Sequence, residues 1–239
     1  MKVARSIAEL ETAGVVGLVP TMGALHAGHE ALIAAARAEC ETVVVSIFVN
    51  PAQFDEARDL EIASAAGADV VFAPAAAELY PDGFQTWVDV TELSRGLEGA
   101  FRPGHFRGVA TICLKLFNLV RPRYAYFGQK DAQQLAVIRR MVADLNLDLT
   151  VRSVPTVRDT DGLALSSRNV LLTPEERELA LALPRALSTR DVRAARDALA
   201  GLDVDYVEVA DFDPPVLAAA VRVGSTRLID NVVLEKETS

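Results

Sequence analysis

An α/β fold, a doubly wound parallel sheet followed by a small C-terminal α+β unit, is predicted by three observations. Short β-branched runs are apolar throughout instead of alternating, the pattern of strands buried on both faces. Stretches of helical period separate them. Beyond residue 157 the pattern changes to helices followed by closely spaced strands. The expected division is a Rossmann-like domain over 1–157 and a small domain over 158–239.

The elements follow in order. VVGLV (15–19) is a short buried strand, and the alanine-rich HEALIAAARAEC (29–40) is a helix. VVVSIFV (43–49) is the next strand. LEIASAAG (60–67) forms a helix that ends on Gly67, and DVVFAP (69–74) is a third strand. A helix over 108–120, the strand YAYFG (124–128), a helix over 131–145 and the strand DLTVRSVP (148–155) complete the first unit. In the second, Thr173, Pro174 and Glu176 form the start signal of a helix over 173–183. A further helical stretch, RDVRAARDALAG, precedes two late strands, at 204–211 and within 221–234.

Composition narrows the function. The 239 residues carry a formal net charge of −9, and 51% are apolar. An acidic chain argues against general nucleic-acid binding, which calls for a basic face. It leaves room for a local basic pocket. Cys40 and Cys113 lie in no metal-type spacing, so free thiols in a reducing compartment are expected. No apolar run reaches membrane-span length, and the N-terminus lacks the pattern of a signal peptide. A cytoplasmic protein without membrane partners is expected.

Two of the three histidines sit in PTMGALHAGHEAL (20–32), between a buried strand and a helix. Open α/β sheets bind ligands beyond the carboxyl ends of their strands. Glycines there let backbone approach a phosphate, and the helix N-terminus adds partial positive charge. His26 and His29 would project into that anion site and donate to phosphate oxygens. The alternatives are two polar loop residues, or half of a zinc site that lacks further ligands nearby. In FGQKD (127–131), Gly128 permits close approach, Lys130 supplies a point charge and Asp131 can cap the next helix. In LSSRN (165–169), two hydroxyls and a guanidinium suit phosphate oxygens. Gln134 lies one helical turn after Lys130, so both can face one site, while Gln133 points elsewhere.

PTMGALHAGHEALI resembles the first signature of the pantothenate synthetases, which belong to the H-x-G-H nucleotidyltransferases. Four further blocks are similar to that family in order: VVVSIFVNPAQF (43–54), residues 102–145, RDTDGLALSSRNVLLT (158–173), and DYVEVAD with VGSTRLIDN (205–231). The resemblance implies a ligase that condenses pantoate with β-alanine. Pantoyl adenylate would be the intermediate, and AMP and pyrophosphate would be released. It implies His29, His26 and Lys130 as catalytic residues. Met22, Gly23, His26, Gly28, His29, Gly128, Gln129, Lys130, Asp131, Val157, Leu165, Ser166, Ser167 and Arg168 would bind ATP. Gln53 and Gln134 would hold pantoate, with Asn50 shaping that pocket, and Gln53 would also meet β-alanine. ATP as substrate, Mg²⁺ and a homodimer are implied as well. The stretch after Phe54 is short for the family, which leaves Asp59 as the nearest candidate ligand for Mg²⁺. His105 is expected to line the site or order its loop. A different nucleotidyltransferase, or a nucleotide-binding regulatory module without chemistry, is the competing reading.

Overall fold

A computed structural model describes residues 1–48 and 55–235. Six parallel strands form the main sheet: β1 (Lys2–Ala4), β2 (Val16–Thr21), β3 (Thr42–Ile47), β4 (Val70–Phe72), β5 (Tyr124–Gly128) and β6 (Thr150–Val154). Their spatial order is β1-β4-β3-β2-β5-β6. From β2 the chain winds through β3 to β4, and from β5 it winds the other way to β6. The reversal falls where β2 pairs with β5, Gly17 opposite Tyr124 and Leu18 opposite Ala125. A crevice at such a reversal is the usual ligand site of an open α/β sheet.

Both faces of the central strands are covered, which is why β3, β4 and most of β2 and β5 are apolar at consecutive positions, while the edge strand β6 (TVRSV) is largely exposed. Leu18, Val44 and Phe72 pack on one face with Phe117 and Ile138. Val19, Val43 and Val45 pack on the other with Leu32 and Ile33. The first face belongs to α5 (His105–Val120) and α6 (Ala132–Asp144), the second to α1 (Ala27–Glu39) and α2 (Glu56–Ala65). On α5, Phe106, Ala110, Cys113, Phe117 and Val120 are buried at spacings of three and four, one stripe of a helix. This helix starts at His105, earlier than expected, because Gly104 adopts φ 78° and turns the chain into it. α2 likewise starts before Leu60, since the Asp55 side chain accepts from the Arg58 amide. Two short helices, α3 (Ala76–Leu79) and α4 (Glu98–Phe101), lie between β4 and α5.

The C-terminal part contains α7 (Pro174–Ala180), α8 (Ala182–Leu187), α9 (Val192–Ala198), β7 (Asp203–Ala210), β8 (Val216–Val223) and β9 (Thr226–Val233). Thr173 and Glu176 form the expected reciprocal cap of α7. The late strands number three, not two. The run 221–234 contains the end of β8 and all of β9, joined through Gly224 at φ 55°. Apolar alternation continues on both sides of Gly224–Ser225 and conceals the hairpin turn. The antiparallel sheet β7-β8-β9 packs one face, with Leu217 and Leu228, against Leu183 and Leu187. Its other face, with Tyr206, Ala218 and Ala220, meets Ala132 at the start of α6. No helix among the described residues is long and apolar enough to cross a membrane.

Candidate active site

The histidine loop leaves β2 at the sheet reversal and enters α1. His26 is the N-cap, and its Nδ1 accepts from the Gly28 amide at 3.1 Å. His29 Nδ1 accepts from the His26 amide at 3.2 Å, and the two rings lie 4.2 Å apart. A Cβ on Gly28 would sit 2.8 Å from the His26 ring, so glycine at position 28 suits this packing. Because each Nδ1 is an acceptor, each neutral ring carries its proton on Nε2. Among the described residues neither Nε2–H has a partner. Burial, then the charge of Lys130, pushes the His26 pKa down. Burial, then His26, pushes that of His29 down to about 3. At neutral pH the pair therefore presents two uncharged N–H donors.

Asp59 holds this loop in place. Its two carboxylate oxygens accept from the amides of Ala24 (2.7 Å) and Leu25 (2.8 Å). Ala24 has φ 53°, a left-handed conformation that costs roughly 1–2 kcal/mol without glycine. These hydrogen bonds stabilise it. Asp59 is 1% exposed, so the expectation that it could serve Mg²⁺ is corrected: its lone pairs are committed to the loop. Among the described residues no cluster of His, Cys, Asp or Glu could cage a metal ion.

The second loop follows β5, the neighbour of β2. Gln129–Asp131 form a single 3-10 turn, which brings Lys130 near the two histidines. Asn231 on β9 donates from Nδ2 to the carbonyls of Gln129 (2.9 Å) and Lys130 (2.8 Å) and clasps this turn. Asp131 stands at the N-cap position of α6 but makes no side-chain cap bond, contrary to expectation. Asp131 is one of the residues lining a pocket with Lys130, Gln134, Arg102 and His105. Burial, then the charge of Arg102, lowers the His105 pKa to about 4.

The third loop carries Val157 and Leu165–Arg168. The Leu165 amide donates to the Val157 carbonyl at 3.0 Å, which closes the turn between them. Ser166 caps a 3-10 helix over Ser167–Leu171, accepting from the Arg168 amide at 3.2 Å. Arg168 donates to the Arg227 carbonyl of β9 at 3.1 Å. One strand thus holds both the Lys130 turn and the Arg168 loop.

Gln134 lines the Lys130 pocket, and Gln133, expected to point elsewhere, lines it too, although it is buried and its amide is bonded to neighbouring backbone. Gln133 accepts from the Glu98 amide and donates to the carbonyls of Leu93 and Gly96, pinning the chain before α4. Gln53 and Asn50 lie outside the described residues. Met22 is 65% exposed at the end of β2, and Gly23 follows it at φ 82°. Gly28 lies at the start of α1, and Gly128 ends β5.

Sequence reading missed the ionic link between the two sheets. Glu98 on α4 accepts two hydrogen bonds from Arg227 on β9, at 2.8 and 2.7 Å, and one from the Tyr206 hydroxyl at 2.9 Å. Arg227 also reaches Asp205. Nearby, Arg158 pairs through both amino groups with Asp230, which is 2% exposed. The available signal was the pair of charged residues Arg227 and Asp230 within the run TRLIDN.

The family described as pantoate-beta-alanine ligase matches residues 1–233. Pantothenate synthetase of Heliobacterium modesticaldum is 52% identical, with 92% of each chain covered. Pantothenate synthetase 1 of Bradyrhizobium diazoefficiens is 49% identical, with 98% of each covered. The crystal structure of pantothenate synthetase from Thermus thermophilus superposes with a TM-score of 0.91 at 43% identity, covering 98% of this chain and 99% of that one. A Francisella tularensis pantoate-beta-alanine ligase, solved with β-γ ATP and β-alanine, superposes with a TM-score of 0.83 at 34% identity, covering 98% and 97%.

Proposed function

The chain belongs to the pantoate–β-alanine ligase family, whose members form a C–N bond, and we propose that it condenses pantoate with β-alanine through pantoyl adenylate. A pantoate carboxylate oxygen attacks the α-phosphorus of ATP. The bond from that phosphorus to the bridging oxygen breaks, and pyrophosphate leaves. The unprotonated amine of β-alanine then attacks the activated carbonyl, loses a proton and expels AMP.

Each loop has a task in this scheme. His26 and His29 donate from Nε2 to phosphate oxygens as charge develops on the leaving pyrophosphate. They do so as neutral donors and carry no proton away. Lys130 adds a full positive charge beside them. Ser166, Ser167 and Arg168 hold the β- and γ-phosphates. Gly128, Gln129, Asp131, Val157 and Leu165 cradle the nucleoside part. Met22, Gly23 and Gly28 let the nucleotide lie close to backbone. Gln134 and Gln53 grip pantoate, whose carboxylate accepts from an amide while its hydroxyls donate. Gln53 also contacts β-alanine. Mg²⁺, when bound, neutralises phosphate charge. The protein acts as a homodimer in this reading, which light scattering tests by mass.

The observation that carries the proposal is the pair of imidazoles, whose Nε2–H groups have no partner among the described residues, beside Lys130 at the sheet reversal. The test is substrate omission. Isotope exchange between pyrophosphate and ATP should require pantoate but not β-alanine. AMP release should require all three substrates. Exchange that needs β-alanine rules out a separate adenylate step. AMP release without pantoate rules out this substrate.

A further inference from the structure

Arg102 is the charged group that the proposed reaction leaves without a task. It follows α4 and precedes the RPGHFRG loop, and its side chain is 35% exposed. Its one ion pair among the described residues is with Glu98, and the gap is 3.8 Å. That carboxylate already accepts two short hydrogen bonds from Arg227 and one from Tyr206. Glu98 therefore has little left to give. The other charges around Arg102 mostly oppose it: Arg168 and Arg227 repel it, and Asp131 attracts it less strongly than Glu98 does.

The position of this guanidinium is also distinctive. It lines the pocket that holds Lys130, Asp131, His105 and Gln134. It equally lines a neighbouring cavity of about 370 Å³, which Arg95 and Arg107 share with Asp89, Thr91 and Ser94. The Ser94 hydroxyl is buried there with no hydrogen-bond partner among the described residues. Arg102 thus stands in the wall between the substrate pocket and an arginine-lined space. An under-neutralised, half-buried guanidinium with five donors calls for an anion.

We infer that Arg102 is a further substrate-binding residue, whose guanidinium takes an anionic group in the Lys130 pocket. The group is a phosphate of the nucleotide or the carboxylate of the amino-acid substrate. This rests on the reaction proposed above. It adds a residue to the pocket that Lys130 and Gln134 line.

The test compares wild type with Arg102→Gln and Arg102→Lys. Glu98 keeps Arg227 and Tyr206 in both variants, so thermal unfolding should match wild type closely. Wild-type pyrophosphate–ATP exchange with pantoate is the reference; its absence would defeat the reaction, not the role of Arg102. If the anion is a phosphate, Arg102→Gln lowers exchange by about 100-fold, the usual effect of removing a preorganised donor. Arg102→Lys restores about a tenth of it. If the anion is the amino-acid carboxylate, exchange is unchanged and the KM for β-alanine rises by a similar factor, again partly rescued by lysine. Normal exchange together with a normal KM for β-alanine in Arg102→Gln overturns the inference.

Discussion

Replacing Glu98 by glutamine should loosen the join between the two sheets without disturbing either core. The carboxylate accepts two hydrogen bonds from Arg227 and one from Tyr206, and the paired side chains are 7% and 10% exposed. An amide of the same shape keeps one acceptor and turns two N–H donors toward a guanidinium that has only donors. Removing one partner of a buried pair costs about 3–5 kcal/mol. Arg227 retains Asp205 at 2.5 Å, which places this case at the lower end, about 3 kcal/mol. In a chain of this length 1 kcal/mol moves the melting temperature by about 2–4 °C. The expected fall is therefore about 6–12 °C by calorimetry. A cycle with Arg227→Gln should return a coupling of about 2 kcal/mol. A loss below about 1 kcal/mol, or additive single effects, would refute the claim that this ion pair fastens the two sheets.

Three other outcomes are expected. Asp59→Asn turns an amide donor toward a backbone N–H of the histidine loop, so it should cost about 1–3 kcal/mol and weaken ATP binding in calorimetric titration; unchanged affinity would separate Asp59 from the site. Asn231→Ala frees the carbonyls of Gln129 and Lys130 and should raise the KM for ATP about tenfold, equivalent to about 1.4 kcal/mol, while a KM within twofold of wild type would show that the turn holds its shape alone. His29 has a folded pKa of about 3, below its unfolded value of about 6.5, so the unfolded chain binds the proton first as pH falls. Its contribution to stability is complete above about pH 6.5 and is lost toward pH 3, at up to about 1.4 kcal/mol per pH unit. Chemical denaturation of His29→Asn should show a flatter decline between pH 6.5 and 4, and an identical slope would contradict the assignment.

The parallel sheet was legible because its signal is local. A strand buried on both faces must be apolar at consecutive positions, and Val43–Val45 satisfy both faces at once. The three loops were legible as strand-to-helix turns with glycine, basic and hydroxyl residues. What holds the loops was not. Asp59 lies 34 residues from Leu25, and Asn231 lies 101 from Lys130; neither separation leaves a trace in spacing. Asp131 has the right residue type and position for a cap, yet its side chain makes no cap bond and the residue lines the pocket. Successive helical positions point about 100° apart, yet Gln133 and Gln134 both reach the Lys130 pocket, and what separates them is that the Gln133 amide is bonded to backbone before α4. The hairpin of β8 and β9 was missed because its turn interrupts no periodicity.

Strand β9 has a consequence for which changes of length this fold can accept. Arg227 and Asn231 lie on the same face of β9, four residues apart, a span of about 13 Å at strand rise. One grips the segment that carries α4, and the other grips the Lys130 turn. The strand is in effect a ruler between the α4 segment and the Lys130 turn, graduated in pairs of residues. One residue inserted between them would exchange the faces of every position beyond it and point Asn231 into the α7–α9 core. Two inserted residues would keep the faces but move the clasp about 7 Å along the sheet. Variation in length should therefore be excluded from residues 227–231 and tolerated at the Gly224 turn, where the hairpin can lengthen without moving either mark.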